Sequence, residues 1–270
     1  MTVRAAALAC VVLLLGACAA DKPKPTPLEN YPAKIAGKAV WNTRLNPSIL
    51  GFSSTRESVL IPTVRDGKVL VAAAEGDVAA LAADTGAVIW RASVGGPISA
   101  GLGSDGRFIS VVTRGNEVVT LDGQREVWRK RVPASVVTPP LVAGERVFVM
   151  TVDRAVHAFD AIDGRRLWVL QRPGDALTLA QPGVLGAVRN TLVVGQGAKL
   201  AGVDPTAGTV QWEVSMASPR GTNEVERLAD LVGPAVRVGD RVCARAFQSA
   251  VACADAAKGA VLWTRNVGGA

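Results

Sequence analysis

FDAIDGRRLW, running from Phe159 to Trp168, has four relatives in the same chain: LAADTGAVIW (Leu81 to Trp90), TLDGQREVW (Thr120 to Trp128), VDPTAGTVQW (Val203 to Trp212) and CADAAKGAVLW (Cys253 to Trp263). The five tryptophans are 38, 40, 44 and 51 residues apart, and they are five of the six in the protein. A period of this length is that of one four-stranded propeller blade. Between motifs comes a Pro or Gly turn, an apolar strand, a polar turn and a second strand, as in PLVAGERVFVMTVDRAVHAFDA (Pro140 to Ala161). There Val147, Val149 and Thr151 face one way and Phe148, Met150 and Val152 the other, in runs too short and too β-branched for helices. Similar stretches follow Pro62, Pro182 and Pro234, while the copy after Pro97 is more degenerate. The fold class is therefore all-β.

Within each motif the Asp residues (Asp84, Asp122, Asp160, Asp204, Asp255) read as acceptors for turn amides. Gly86, Gly164, Gly208 and Gly259 supply positive φ at little cost. Trp90, Trp128, Trp168, Trp212 and Trp263 then lie against the neighbouring blade as packing residues, since one ring per repeat at one position is what stacked repeats need. The single histidine, His157, sits in an alternating strand and reads as a packed or solvent-facing residue. Triads and histidine-based metal sites have almost no material. Gly195-Gln196-Gly197 lacks the strand-to-helix context of a phosphate cradle, and the expectation is no catalytic residue, no metal and no cofactor.

At the N-terminus, Arg4 precedes the apolar run AAALACVVLLLGA, which has the zones of a secretory signal and is too short for a membrane anchor. Leu15-Gly16-Ala17-Cys18 resembles the bacterial lipobox, which implies cleavage before Cys18 and acylation of its thiol; Ala19 after it favours outer-membrane sorting. The division expected is residues 1–17 as signal, 18–40 as a lipid-anchored tether with prolines at 23, 25, 27 and 32, and 41–270 as propeller. A proline-rich tether extends about 3 Å per residue. Removing Arg4 from 30 basic and 23 acidic residues leaves a net charge of +6, scattered without a long basic run. That argues against nucleic acid as a partner. Cys243 and Cys253 lie symmetrically about Gln248 and would face each other across a hairpin, as a disulfide in an oxidising compartment or as two small buried thiols.

The Asp-x-x-x-Gly-x-x-x-Trp pattern resembles the repeats of quinoprotein (PQQ-type) propellers, shared by PQQ-dependent dehydrogenases and by the BamB family, lipoproteins of the outer-membrane β-barrel assembly machine. The lipobox, the proline tether and SPRGTNEVERLADLVGPAVRVGDRVCA (Ser218 to Ala244) favour BamB. In that family a segment of the type G-x-x-E-x-x-R-L-x-D precedes a blade, matched by Gly221, Glu224 or Glu226, Arg227, Leu228 and Asp230. Spacing singles out the same region: from motif tryptophan to the next blade's proline the chain advances 7 residues after Trp90, 12 after Trp128, 14 after Trp168 and 22 after Trp212. Long loops on a rigid scaffold commonly carry binding.

The resemblance implies a non-enzymatic scaffold on the periplasmic face of the outer membrane. It would dock on POTRA domains of BamA, alongside other barrel-assembly subunits, through Leu177, Leu179, Arg227 and Asp230, with no small-molecule substrate. Where the family has an arginine after the second leucine this chain has Ala180, and where it has a second acid this chain has Val232. Arg172 and Asp175 stand nearby as replacements, and the bland reading of the leucines is that they cap the blade core. The alternative is a PQQ-dependent dehydrogenase or degenerate cofactor binder. BamB-like propellers have eight blades and this chain has room for about five, so a truncated chain is expected, with the strand around Trp41 completing the last blade by pairing near the chain's end.

Overall fold

Short β-branched runs separated by Gly, Asp and Pro leave the chain little choice but tight antiparallel pairing. The computed structural model describes residues 37–43, 60–172, 177–219 and 227–267. Cys18, the tether prolines, Asp175, Gly221, Glu224 and Glu226 lie outside them. Among the described residues all regular structure is strand, and twenty strands pair antiparallel in sequence order as five four-stranded blades.

Blade 1 holds β1 (Thr63–Arg65), β2 (Lys68–Ala72), β3 (Asp77–Ala82) and β4 (Val88–Ser93). Blade 2 holds β5 (Ile98–Ser104), β6 (Phe108–Thr113), β7 (Glu117–Asp122) and β8 (Arg125–Arg131). Blade 3 holds β9 (Leu141–Ala143), β10 (Arg146–Met150), β11 (Ala155–Asp160) and β12 (Arg166–Gln171). Blade 4 holds β13 (Val184–Val188), β14 (Thr191–Gln196), β15 (Lys199–Val203) and β16 (Val210–Ser215). Blade 5 holds β17 (Leu231–Val238), β18 (Arg241–Ala246), β19 (Ala250–Asp255) and β20 (Ala260–Asn266).

The two-residue alternation serves two neighbours at once. On β10, Val147 and Val149 join a buried cluster with Phe108, Val112 and Trp128 of blade 2. Phe148 and Met150 on the other face join Leu192, Val194 and Val203 of blade 4. Each such side chain contributes about 1.5–3 kcal/mol on leaving water, so the blades are held mainly by what lies between them. The expected irregularity after Pro97 is present: β5 meets β6 with two register shifts.

The tryptophans fasten one blade to the next. The Trp128 ring lies on Gly164, Trp168 on Gly208, Trp212 on Gly259 and Trp41 on Gly86, all glycines at φ between +64° and +72°. The indole N–H of Trp41, Trp128 and Trp168 donates to the carbonyl three residues before that glycine: Ala83 at 3.0 Å, Ala161 at 2.9 Å and Pro205 at 3.0 Å. Only glycine serves here, for two reasons. The backbone is left-handed, and a Cβ on Gly164 would stand 2.6 Å from the Trp128 ring.

Trp90 departs from the rule because the blade 2 turn is shortened to Gly123-Gln124, and it packs instead against the Ile98, Leu102 and Ile109 cluster. Trp263 is 45 % exposed. Trp41 also departs from expectation. Trp41 to Thr43 are not strand among the described residues; they seat on the blade 1 turn, where the Thr43 hydroxyl adds a bond to the Gly86 carbonyl.

Three of the five motif aspartates work as expected. The Asp160, Asp204 and Asp255 carboxylates accept amides two or three residues ahead at 2.7–3.1 Å. The Ala207 and Thr206 amides hold the Asp204 carboxyl below its ordinary range. Asp122 instead pairs with Arg107 at 3.1 Å, since its turn is too short to offer those amides. Pro234 does not open its blade either. β17 starts three residues earlier and bulges around Gly233-Pro234, where the missing N–H costs no ladder bond. Cys243 and Cys253 are directly opposed on β18 and β19, 4.0 Å apart at Cα, and joined by a disulfide.

His157 is a packed residue, 4 % exposed on β11 and stacked on Phe159. Burial draws its pKa below the usual imidazole value.

Candidate functional site

Two connections stand out from the repeat: the one from β12 to β13 and the one from β16 to β17. Their described parts, 177–183 and 216–219 with 227–230, are anchored at both ends by apolar burial and backbone bonds. Met216, Ala217 and Ala229 are buried in the blade 4 and 5 cluster. The Met216 N–H reaches the Ala198 carbonyl at 2.8 Å and Leu231 reaches Gly197 at 2.8 Å. Gly183 donates to the Thr138 hydroxyl in the segment leading into blade 3 at 2.9 Å, and Gly233 donates to the Pro182 carbonyl at 2.7 Å. The segments before blade 4 and before blade 5 are thus tied to each other.

The tightest tie is Asp230. One carboxylate oxygen accepts the Leu179 N–H at 2.8 Å, bridging 51 residues of sequence. Its own carbonyl accepts the Phe247 N–H of blade 5 at 2.9 Å. Asp230 therefore holds the two loops as one surface, a structural duty that its expected role at the interface does not include.

The leucine pair is split by this arrangement. Leu177 is 39 % exposed, at the rim of an open cleft of about 280 Å³ that Arg172, Arg227 and Asp230 also line. Leu179 is half-buried and faces a smaller cavity of about 60 Å³ with Met150, Gln196 and Leu231. Arg227 is exposed. The four residues expected at a docking surface thus meet around Asp230, although only Leu177 and Arg227 present themselves openly.

Arg172 is not the free surface replacement that its position suggested. It is only 8 % exposed and its guanidinium pairs with Glu213 on β16. Glu213 also takes the Lys199 ammonium at 2.6 Å. That hydrogen bond, with the Arg172 charge beside it, holds the Glu213 carboxyl below its usual range.

Two further residues at this place were not legible as site residues. Arg154, in the β10–β11 turn, has φ of +67°, where the corresponding turns of blades 1 and 2 carry Gly76 and Asn116. Gln196 ends β14 beside Gly197. The glycine leaves room for Arg154, whose Nη1 would lie 3.2 Å from any Cβ placed there; Asp230 Oδ1 would lie 3.9 Å from the same point. The sequence signal available was a lone glutamine between two glycines at a strand end. Among the described residues no group of three or more His, Cys, Asp or Glu is placed to hold a metal.

A family profile described as outer membrane protein assembly factor BamB matches residues 74–270. A protein of that description from Bordetella pertussis is 34 % identical over 91 % of this chain and 63 % of its own length. Another from Burkholderia pseudomallei is 32 % identical over 96 % of this chain and 68 % of its own. The chain thus spans roughly two thirds of the length of these curated relatives. Among solved structures, BamB from Moraxella catarrhalis superposes with a TM-score of 0.70 at 18 % identity, covering 78 % of this chain and 65 % of that one. A europium-containing methanol dehydrogenase reaches 0.59 at 14 % identity, which speaks for the shared propeller fold alone.

Proposed function

The chain belongs to the outer membrane protein assembly factor BamB family, and from that premise we propose that it is a non-enzymatic scaffold of the outer-membrane β-barrel assembly complex that docks a POTRA domain of BamA on the surface formed by its two long loops. The observation that carries this is the Asp230–Leu179 hydrogen bond, which makes one pre-formed surface of two connections 51 residues apart. A surface organised before binding loses less entropy on docking. Leu177 is the exposed apolar anchor, Arg227 and Asp230 supply charge, and Leu179 stiffens the rim. Cleavage before Cys18, acylation of that cysteine and the proline tether would keep the propeller at the periplasmic face of the outer membrane and confine its search.

The test is binding of the full mature chain to purified BamA POTRA domains, by calorimetry. Leu177→Asp places a charge in an apolar contact and is expected to weaken binding at least tenfold, about 1.4 kcal/mol, with an unchanged melting temperature because the side chain is exposed. Binding that survives this substitution at full strength would remove the loops from the docking surface.

A further inference from the structure

Buried polar groups without partners are rare in folded proteins and each calls for a cause. Six such side-chain atoms occur among the described residues, and four of them gather at one place: Arg154 Nε, Arg172 Nη1 and both ends of the Gln196 amide. All three residues line the cleft beside Asp230, and Arg154 and Gln196 also line the smaller cavity next to it. Three of these four atoms are donors. Among the described residues, the charged ones lining the cleft are Arg154, Arg172, Lys199 and Arg227 against Glu213 and Asp230. Glu213 is already engaged by both Arg172 and Lys199, and one oxygen of Asp230 by Leu179. Among these described residues, what is left over is positive charge and unfilled donors.

The placement of Arg154 adds to this. Its left-handed backbone belongs to a turn that every blade makes, with Gly76, Asn116, Gly197 and Gln248 in the corresponding turns, and it sets the guanidinium over Gly197, where the missing side chain leaves space.

We propose that Arg154, Arg172 and Gln196 form a carboxylate-accepting subsite within the docking cleft, so that the partner segment seated there carries an Asp or Glu next to the apolar residue that meets Leu177. This rests on the docking function proposed above and specifies its chemistry. The carboxylate oxygens take the free N–H groups of the two arginines and the Gln196 amide. Charge-assisted bonds of this kind are about twice as strong as neutral ones.

The experiment is a set of double-mutant cycles with the full chain and purified BamA POTRA domains. Arg154→Gln and Gln196→Leu are each expected to weaken binding about tenfold. Gln196→Leu should at the same time melt no lower than the parent, since it removes an unsatisfied buried amide. On the partner, each acidic residue is changed to its amide in turn, and one of them should show its effect largely abolished in the Arg154→Gln background. A variant that merely misfolds would abolish the effect of every partner acid alike, so only a loss confined to one of them supports the subsite. If both variants bind within twofold of the parent while Leu177→Asp still loses tenfold, the subsite is wrong and the docking surface stands. If Leu177→Asp is also silent, the docking surface itself is wrong and the subsite goes with it. Equal loss for every partner acid, with no coupling to Arg154, would likewise overturn the subsite.

Discussion

Replacing Gly164 by alanine tests the means by which the blades are fastened. Two costs act together at this position. Its φ is +69°, which strains an alanine by roughly 1–2 kcal/mol. Its Cβ would stand 2.6–2.8 Å from three atoms of the Trp128 ring, and relieving such overpacking costs typically about 1–3 kcal/mol. If the ring moves, its 2.9 Å bond to Ala161 goes with it, a further ~1 kcal/mol. The expected destabilisation is therefore about 3–6 kcal/mol, taking these increments together. Gly144 is the matched control: φ is +58° and nothing lies within 4 Å of its added Cβ, so Gly144→Ala should cost only the strain, roughly 1–2 kcal/mol. The clash and the lost bond leave an excess of about 2–4 kcal/mol over the control, so thermal unfolding followed by tryptophan fluorescence should separate the two variants by about 4–16 °C, at 2–4 °C per kcal/mol for a chain of this size. The excess should disappear in a Trp128→Leu background, where the ring is gone. Equal melting temperatures for the two alanine variants would refute the claim that ring contact at the glycine holds adjacent blades.

Trp128 is 6 % exposed and Trp263 is 45 % exposed, so Trp128→Ala should cost about 3–5 kcal/mol and Trp263→Ala far less, by the same melts; similar losses would contradict the packing described. Asp230→Ala leaves the Leu179 N–H without its acceptor and should cost about 1–2 kcal/mol, with faster amide exchange at Leu179 as the local readout. Burial lowers the His157 pKa, so below about pH 6.5 the unfolded chain takes up a proton that the folded chain resists. Stability is thus full above that value and falls as pH drops toward the depressed folded value, and His157→Phe should flatten the dependence of urea midpoints between pH 7 and 5. Reducing the Cys243–Cys253 bond, which closes a separation of 10 residues, should cost about 2–3 kcal/mol on the chain-entropy account, seen as a lower midpoint in dithiothreitol.

Blade spacing, strand faces and the turn glycines could be read from the chain because each depends on residues close in sequence. Val147 and Phe148 point apart by the two-residue period alone, and Gly164 announces its left-handed turn. What could not be read depends on distant partners. Asp122 looks like the other motif aspartates until the shortened turn and Arg107 are both in view. Asp230 was identified by a motif, but its bond to the Leu179 amide lies across 51 residues and leaves no local trace. Arg172 read as a surface charge, yet it is buried and paired with Glu213 on the outer strand of the next blade. Gln196 leaves only the faint mark of a glutamine between two glycines and Arg154 leaves none; their unmatched hydrogen-bonding atoms and the space over Gly197 bring them out.

The tryptophan locks all point forward. Each ring sits on a turn that the ribosome makes some 36 to 47 residues later, as with Trp128 on Gly164 and Trp212 on Gly259. A growing chain that has made Trp128, Trp168 or Trp212 therefore shows a large bare aromatic until the next blade's turn arrives to cover it. Chain growth and closure then advance like a zip in one direction, and the most vulnerable species at any moment is the blade folded last.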